Sequence, residues 1–262
     1  MSQRPDQDYL RNVQYKDASN LEARIALHER FSTNRYDYYL WVFDRLKLKT
    51  GERVLEIGCG PGTLWARNLH RLPHGLNVTL TDLSLGMVDE AGLNLASTPE
   101  PFNYTVADAQ ALPLPNNSFD VVLANHMLYH VPDKALALSE IQRVLRGGGR
   151  FYAATNGQGH MRELDELVIR HEPSVGSPIL PPLDFTLENG AAEIGKWFDS
   201  VTLERYEDGL VVTDAGALAA YVLSMSRGQH LDSARLVQWI EQELEERGPI
   251  KIGKDVGFFE AM

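Results

Sequence analysis

The stretch V-L-E-I-G-C-G-P-G-T-L-W, Val54 to Trp65, decides how this chain is read. Val54, Leu55 and Ile57 form the apolar run of a parallel strand buried on both faces. Gly58, Gly60 and Gly62 then let the backbone take dihedrals closed to other residues and let a ligand come close to it. Pro61, just ahead of Gly62-Thr63-Leu64-Trp65, suits the first turn of a helix. A dinucleotide site needs G-x-G-x-x-G, and here Thr63 stands in the third glycine's place. Glu56 also points a negative charge at the crevice. That carboxylate is ill-suited to a pyrophosphate and well suited to a cationic group such as an amino acid's ammonium.

Composition bounds the rest. The 262 residues, 44% of them hydrophobic, allow one large α/β domain or a core with a subdomain. A formal charge of −11 leaves no basic stripe and argues against nucleic acid as a partner. Cys59 is the sole cysteine, which excludes an intrachain disulfide and a cysteine-based zinc site. The start, M-S-Q-R-P-D-Q-D, has no apolar signal region, and no run is long enough for a bilayer. A cytoplasmic protein without a membrane partner is expected.

Outward from the loop, acids recur at strand ends. A helix is expected from Gly62 to about Leu72, then a strand Val78–Thr81 that ends in Asp82. An acid at this place can hold a ribose diol, and Ser84 is better placed to cap the helix that begins at Leu85. A third strand, Phe102–Val106, leads to Asp108-Ala109-Gln110, and a fourth, Phe119–Ala124, leads to Asn125, His126 and His130. The two histidines fall where open α/β sheets bind ligands. They are either substrate contacts and proton carriers or satisfied structural histidines. Their spacing requires no metal.

The flanks read as helical. Before the loop, helices are expected over Asn20–Leu27 and Tyr36–Leu48, separated by Phe31 to Asn34. After the fourth strand, Asp133 caps a helix Lys134–Arg146 that Gly147-Gly148-Gly149 stops, and a fifth strand spans Arg150–Thr155. Beyond it come a helix Met161–His171, a proline-rich loop Pro173–Pro182 and a helix Phe185–Phe198. A strand Val201–Tyr206, with Val211-Val212 as a short continuation, precedes helices to Met225 and over Asp232–Glu246. Val256–Ala261 is the expected last strand.

Three phrases together resemble the class I S-adenosylmethionine (SAM) dependent methyltransferases, in their ubiquinone/menaquinone-type (methyltransferase type 11) branch. They are the Val54–Trp65 run, D-A-Q-A-L-P-L-P-N-N-S-F-D-V-V from Asp108 to Val122, and E-I-Q-R-V-L-R-G-G-G-R-F from Glu140 to Phe151. The second is similar to the branch's D-A-x-x-L-P-F-x-D-x-S-F-D-x-V, with asparagine where an acid is common.

The resemblance implies a Rossmann-like seven-stranded sheet, mostly parallel with an antiparallel last strand, helices on both faces, and a helical cap. It implies a cap over residues 1–50 and a core over 51–262, with lid insertions near 157–182 and 214–247. It implies SAM as cofactor, with S-adenosylhomocysteine (SAH) as product. Glu56, Gly58 and Gly60 would hold its methionine part, Asp82 the ribose, and Asp108 and Ala109 the adenine. Leu83, Met87, Gln110 and Asn125 complete the implied cofactor set. The segment from Tyr15 to Asn34 resembles the family's N-terminal cap, which makes Tyr15, Arg24, His28, Arg30 and Phe31 lid candidates. Tyr15, His126 and His130 are the candidate catalytic residues, and no metal is implied. The acidic surface and aromatic lid favour a small, uncharged or cationic methyl acceptor. Two other classes stay open: a SAM-binding protein that does not methylate, and a nicotinamide-dependent oxidoreductase, which Thr63 and Glu56 disfavour.

Overall fold

The computed structural model describes residues 7–98, 102–173, 180 and 183–262. The start of the expected cap, residues 1–6, and most of the Pro173–Pro182 loop lie outside the described residues.

The sheet has seven strands in the order β3-β2-β1-β4-β5-β7-β6. They are β1 (Arg53–Ile57), β2 (Asn77–Asp82), β3 (Phe102–Val106), β4 (Phe119–Asn125), β5 (Leu145–Asn156), β6 (Val201–Val212) and β7 (Ile250–Ala261). From β3 to β5 every pairing is parallel, and β7 runs antiparallel between β5 and β6. The chain builds outward from β1 to β3, then returns to place β4 on the other side of β1. A crevice therefore opens beyond the carboxyl ends of β1 and β4, at the topological switch point.

Alternation along β1 explains its apolar run. Val54 enters one core with Val78, Leu80, Val121 and Leu123, while Leu55 and Ile57 enter the opposite core with Val122 and Ala124. The first core is covered by α3 (Tyr38–Leu46), α4 (Thr63–Asn68) and α5 (Leu85–Asn94), through Trp41, Trp65 and Ala91. The second is covered by α6 (Lys134–Val144), whose Ala137, Leu138 and Ile141 are buried.

A third core lies over the sheet's carboxyl edge. There α2 (Ser19–Phe31), α7 (Arg162–His171), α9 (Ala215–Leu223) and α10 (Ser233–Arg247) pack on Leu210, Val212 and Ile252 of the β6–β7 ribbon. The stub α1 (Gln7–Tyr9) and a π-turn over Leu10–Gln14 lead into this cap. Among the described residues, no helix is long and apolar enough to cross a membrane.

Three elements differ from expectation. The helix expected over Phe185–Phe198 is only α8 (Gly190–Ile194). The chain ahead of it forms bends and a turn held against β5: Thr155 Oγ1 donates to Phe185 O at 2.7 Å and Leu187 N donates to Asn156 O at 3.2 Å. The triple glycine does not merely stop α6, because β5 begins at Leu145, runs through it, and shifts register against β4 between Phe119 and Val121. The β6–β7 ribbon is also longer than read. Gly209 pairs with Gly253 and Asp208 with Lys254, so glycine and charge interrupt the apolar alternation that marks a strand.

Candidate active site

Glu56 is 2% exposed, and the indole of Trp65 donates to its Oε2 at 2.6 Å. Among the described residues no cation pairs with it. Burial pushes its carboxyl up to about 8, against the pull of the Trp65 hydrogen bond. Beside it, Gly58 and Gly60 have φ of 69° and 54°, in the left-handed region. A Cβ on Gly58 would stand 2.7 Å from Met127 Cβ. The loop is thus shaped by glycine and presents a buried acid lacking its cation. This fits the ammonium-bearing end of an amino acid.

Asp82 and Asp108 stand on the next two strand ends. Asp82 accepts from Gly60 N at 3.0 Å and from Ser84 N at 2.9 Å, tying the loop to β2. Burial raises its carboxyl and these backbone bonds oppose the rise. A carboxylate has about four acceptor positions, so sites remain for a pair of hydroxyls. Ser84 caps α5, accepting from Met87 N at 3.4 Å, as expected. Burial acts to raise Asp108, but hydrogen bonds from Gln110 and Gln7 outweigh it and hold the carboxyl below its usual range. Gln110 is turned onto Asp108, its Nε2 donating at 3.0 Å, and is not among the cavity-lining residues. Leu83, Met87, Ala109 and Asn125 do line the cavity.

The cap brings Tyr15 over this crevice. Ser84 Oγ donates to Tyr15 O at 2.7 Å, and the bare backbone at Gly86 leaves room for Lys16 O. Tyr15 Oη then lies 3.0 Å from Nε2 of His130, which follows β4. Arg24, on α2, donates to Tyr15 Oη at 3.4 Å and to Ser224 O at 2.7 Å. In the tautomer of His130 protonated on Nδ1, the phenol donates to Nε2 while its oxygen accepts from Arg24. Burial lowers His130 to about 4, with the Arg24 charge adding to the effect.

His126 sits in a different network. Its φ is 53°, its N donates to Ala154 O at 3.1 Å, and its Nε2 lies 2.9 Å from Tyr38 Oη. Tyr38 in turn donates to Asn125 Oδ1 at 3.0 Å. Burial lowers His126 to about 4 as well, so both imidazoles are neutral at pH 7. Such a left-handed non-glycine residue persists only where its surroundings hold it.

Of the other lid candidates, Arg24 and His28 line the cavity. Arg30 is at the surface, paired with Asp214, and Phe31 packs into the cap core. Tyr38, His160 and Lys254 also face the cavity but were not singled out as site residues from sequence. Of these, only Tyr38 had a local signal, an aromatic just ahead of the helical pattern of Tyr39, Leu40 and Phe43. Glu56, Asp82 and Asp108 share with Tyr15, His126 and His130 one cavity of about 1170 Å³. That is slightly above the range of roughly 300–1,000 Å³ usual for small-molecule sites.

Acids at successive strand ends around a glycine loop define a Rossmann-like, nucleoside-binding α/β protein. Residues 55–153 match the methyltransferase domain family, and this core is similar to the class I SAM-dependent methyltransferases of the type 11 branch. Their cofactor is SAM, and the loop and acids above fit it. Curated relatives include a ubiquinone/menaquinone biosynthesis C-methyltransferase, UbiE, from Cellvibrio japonicus. It is 29% identical over 69% of this chain and 73% of its own length. The methyltransferase GfsG of Streptomyces halstedii is 32% identical over 55% of this chain and 50% of its own. The chain thus spans about half of GfsG.

Among solved structures, phosphoethanolamine N-methyltransferase 2 of Haemonchus contortus in complex with SAM superposes with a TM-score of 0.59. The identity is 21%, over 98% of this chain and 59% of that one. The [4+2]-cyclase SpnF superposes with 0.62 at 18% identity, over 98% and 96%. At these identities the likenesses establish the fold.

Proposed function

We propose that this protein transfers a methyl group from SAM to a small organic molecule, releasing SAH, with Tyr15 and His130 at the reacting edge of the acceptor. The observation that carries the reading is the single cavity that joins Glu56, Asp82 and Asp108 to Tyr15, His126 and His130. SAM supplies a methyl group on a sulfonium, a strongly activated leaving group. What remains for the protein is alignment, exclusion of water and care of one proton.

The residues divide that work. Glu56 would pair with the amino-acid ammonium, Asp82 with the ribose hydroxyls, and Asp108, shared with Gln7, with the adenine amine. The cap, through Tyr15, covers the crevice and keeps water out. His130 is neutral at pH 7, and in the tautomer protonated on Nδ1 its Nε2 holds a lone pair to which Tyr15 Oη donates. An acceptor hydroxyl or acidic carbon that loses its proton here leaves it on His130 Nε2, directly or through Tyr15. His126, tied to Tyr38 and Asn125, is assigned to positioning. The relatives' names cover C-, O- and N-methylation, so they do not choose the acceptor atom.

The test is incubation with SAM carrying an isotopically labelled methyl group and a metabolite extract of the source, read by mass spectrometry. A labelled small molecule together with SAH supports the proposal. Bound SAM with neither would favour a protein that holds the cofactor without methylating.

A further inference from the structure

One end of the cavity is built from the β5–β7–β6 ribbon and is unused by the chemistry above. Asn156 faces Val256 across β5 and β7, and Lys254 faces Asp208 across β7 and β6. With a side-chain period of two, Asn156, Val256, Lys254 and Asp208 lie on one face of the sheet. Lys254 Nζ donates to Asp208 Oδ2 at 2.6 Å, with the two side chains 7% and 0% exposed. Asp208 is spent elsewhere. It also accepts from Ser32 Oγ, from the backbone N–H groups of Thr33 and Asn34, and from its own strand at Gly209 N. The carboxylate does not line the cavity and the ammonium does.

Lys254 therefore presents a cation whose counter-charge is already shared among backbone dipoles. An ammonium has three donors, and one is committed to a protein partner among the described residues. His160 adds another donor. Its Nδ1 accepts from Asp255 N at 3.2 Å, which fixes the ring proton on Nε2. Burial drops His160 to about 3, so it offers this N–H as a neutral imidazole. Two buried polar atoms of cavity-lining residues, His28 Nδ1 and Asn156 Oδ1, have no hydrogen-bond partner among the described residues; the amide oxygen, an acceptor, would take a donor on the ligand rather than the anion itself. Unmet polar atoms at a cavity wall are what a ligand's polar groups complete.

We propose that Lys254 and His160 form an anion-recognition end of this cavity, which binds an anionic oxygen group, carboxylate or phosphate, carried by the methyl acceptor. The proposal rests on the methyl-transfer reading for the word acceptor, and on its own geometry for the anion. It reverses the expectation of an uncharged or cationic acceptor drawn from the net charge of −11. That total counts surface acids, whereas here the group facing the cavity is an ammonium.

The experiment is calorimetric titration of the full chain, with and without saturating SAH, using sodium benzoate, inorganic phosphate and neutral benzamide as probes. Benzoate or phosphate should bind, benzamide should bind at least about tenfold more weakly than benzoate, and Lys254→Met should lose at least about tenfold in anion affinity. Benzoate alone assigns a carboxylate, and phosphate alone a phosphate ester. Should Lys254→Met fail to fold beside an unpaired Asp208, the Lys254→Met/Asp208→Asn double variant replaces it. The proposal is overturned if neither anion binds, if benzamide matches benzoate while phosphate stays out, or if the Lys254 variant binds anions like the wild type. Failure of SAH to bind would instead count against the methyltransferase reading, and the titrations without SAH would still decide the anion site.

Discussion

Tyr15 Oη lies 3.0 Å from His130 Nε2, though 115 residues separate the two in the chain. One belongs to the cap and the other to the turn after β4, so the bond forms only when the cap is seated on the sheet. Their rings meet edge-on at 5.5 Å. Seating of the cap on the sheet and formation of the Tyr15–His130 hydrogen bond therefore go together. Arg24 links this pair to Ser224 at the end of α9, so two cap helices report on it.

Glu56 should release a proton when cofactor binds. Burial holds its carboxyl at about 8, so it is mostly protonated at pH 7, and an ammonium beside it favours the ionised form. Calorimetry of SAH binding at pH 7, in buffers of different ionisation enthalpy, should show release of nearly one proton. Glu56→Gln should abolish the release and weaken binding by at least about tenfold. Binding without proton exchange would show that Glu56 keeps one protonation state in the free protein and the complex, contrary to this prediction.

Acid should destabilise the fold from about pH 6.5 downward. His126, His130 and His160 have folded-state values of about 4, 4 and 3, below the unfolded histidine value of 6.5. As pH falls through 6.5 the unfolded chain takes up protons that the folded one refuses, so stability drops. Glu56 works the other way, because its raised folded value adds stability as pH falls below 8. Three histidines outweigh one carboxyl, and the net loss should exceed about 1.4 kcal/mol per pH unit between pH 6 and 5. Urea unfolding at fixed ionic strength measures it. A flat or rising stability over that interval would contradict the burial of these rings.

Asp208 should hold the cap in place. It accepts hydrogen bonds from the Ser32–Asn34 turn between α2 and α3 and from Lys254. Asp208→Ala leaves a buried ammonium unpaired and the turn unpinned, which should cost about 3–5 kcal/mol. Hydrogen exchange should accelerate in α2 more than in β1 or β4. Equal acceleration in all three would mean a general loss of stability rather than release of the cap.

What was legible in the sequence was what chemistry compresses into short stretches. The glycine loop, the acids at Asp82 and Asp108, and the Ser84 cap each depend on neighbours within a few residues. Tyr15 and His130 could both be named, but nothing local said that they touch. Lys254 and His160 were invisible for a stronger reason. Asp208 meets Lys254 only through the register of two twelve-residue strands whose alternation is broken by Gly209 and Gly253. The helix expected over Phe185–Phe198 failed likewise, because contacts with β5 claimed the backbone that the local pattern assigned to a helix.

The central claim, that methyl transfer takes place at the Tyr15–His130 edge, is tested most directly by single-turnover rates. The acceptor found in the labelled-methyl assay would be used with wild type, Tyr15→Phe and His130→Ala, alongside the SAH dissociation constant of each. The account predicts transfer slowed by about 10²-fold or more in His130→Ala, a smaller loss in Tyr15→Phe, and SAH affinity within about threefold of wild type. Unchanged transfer rates in both variants would contradict it.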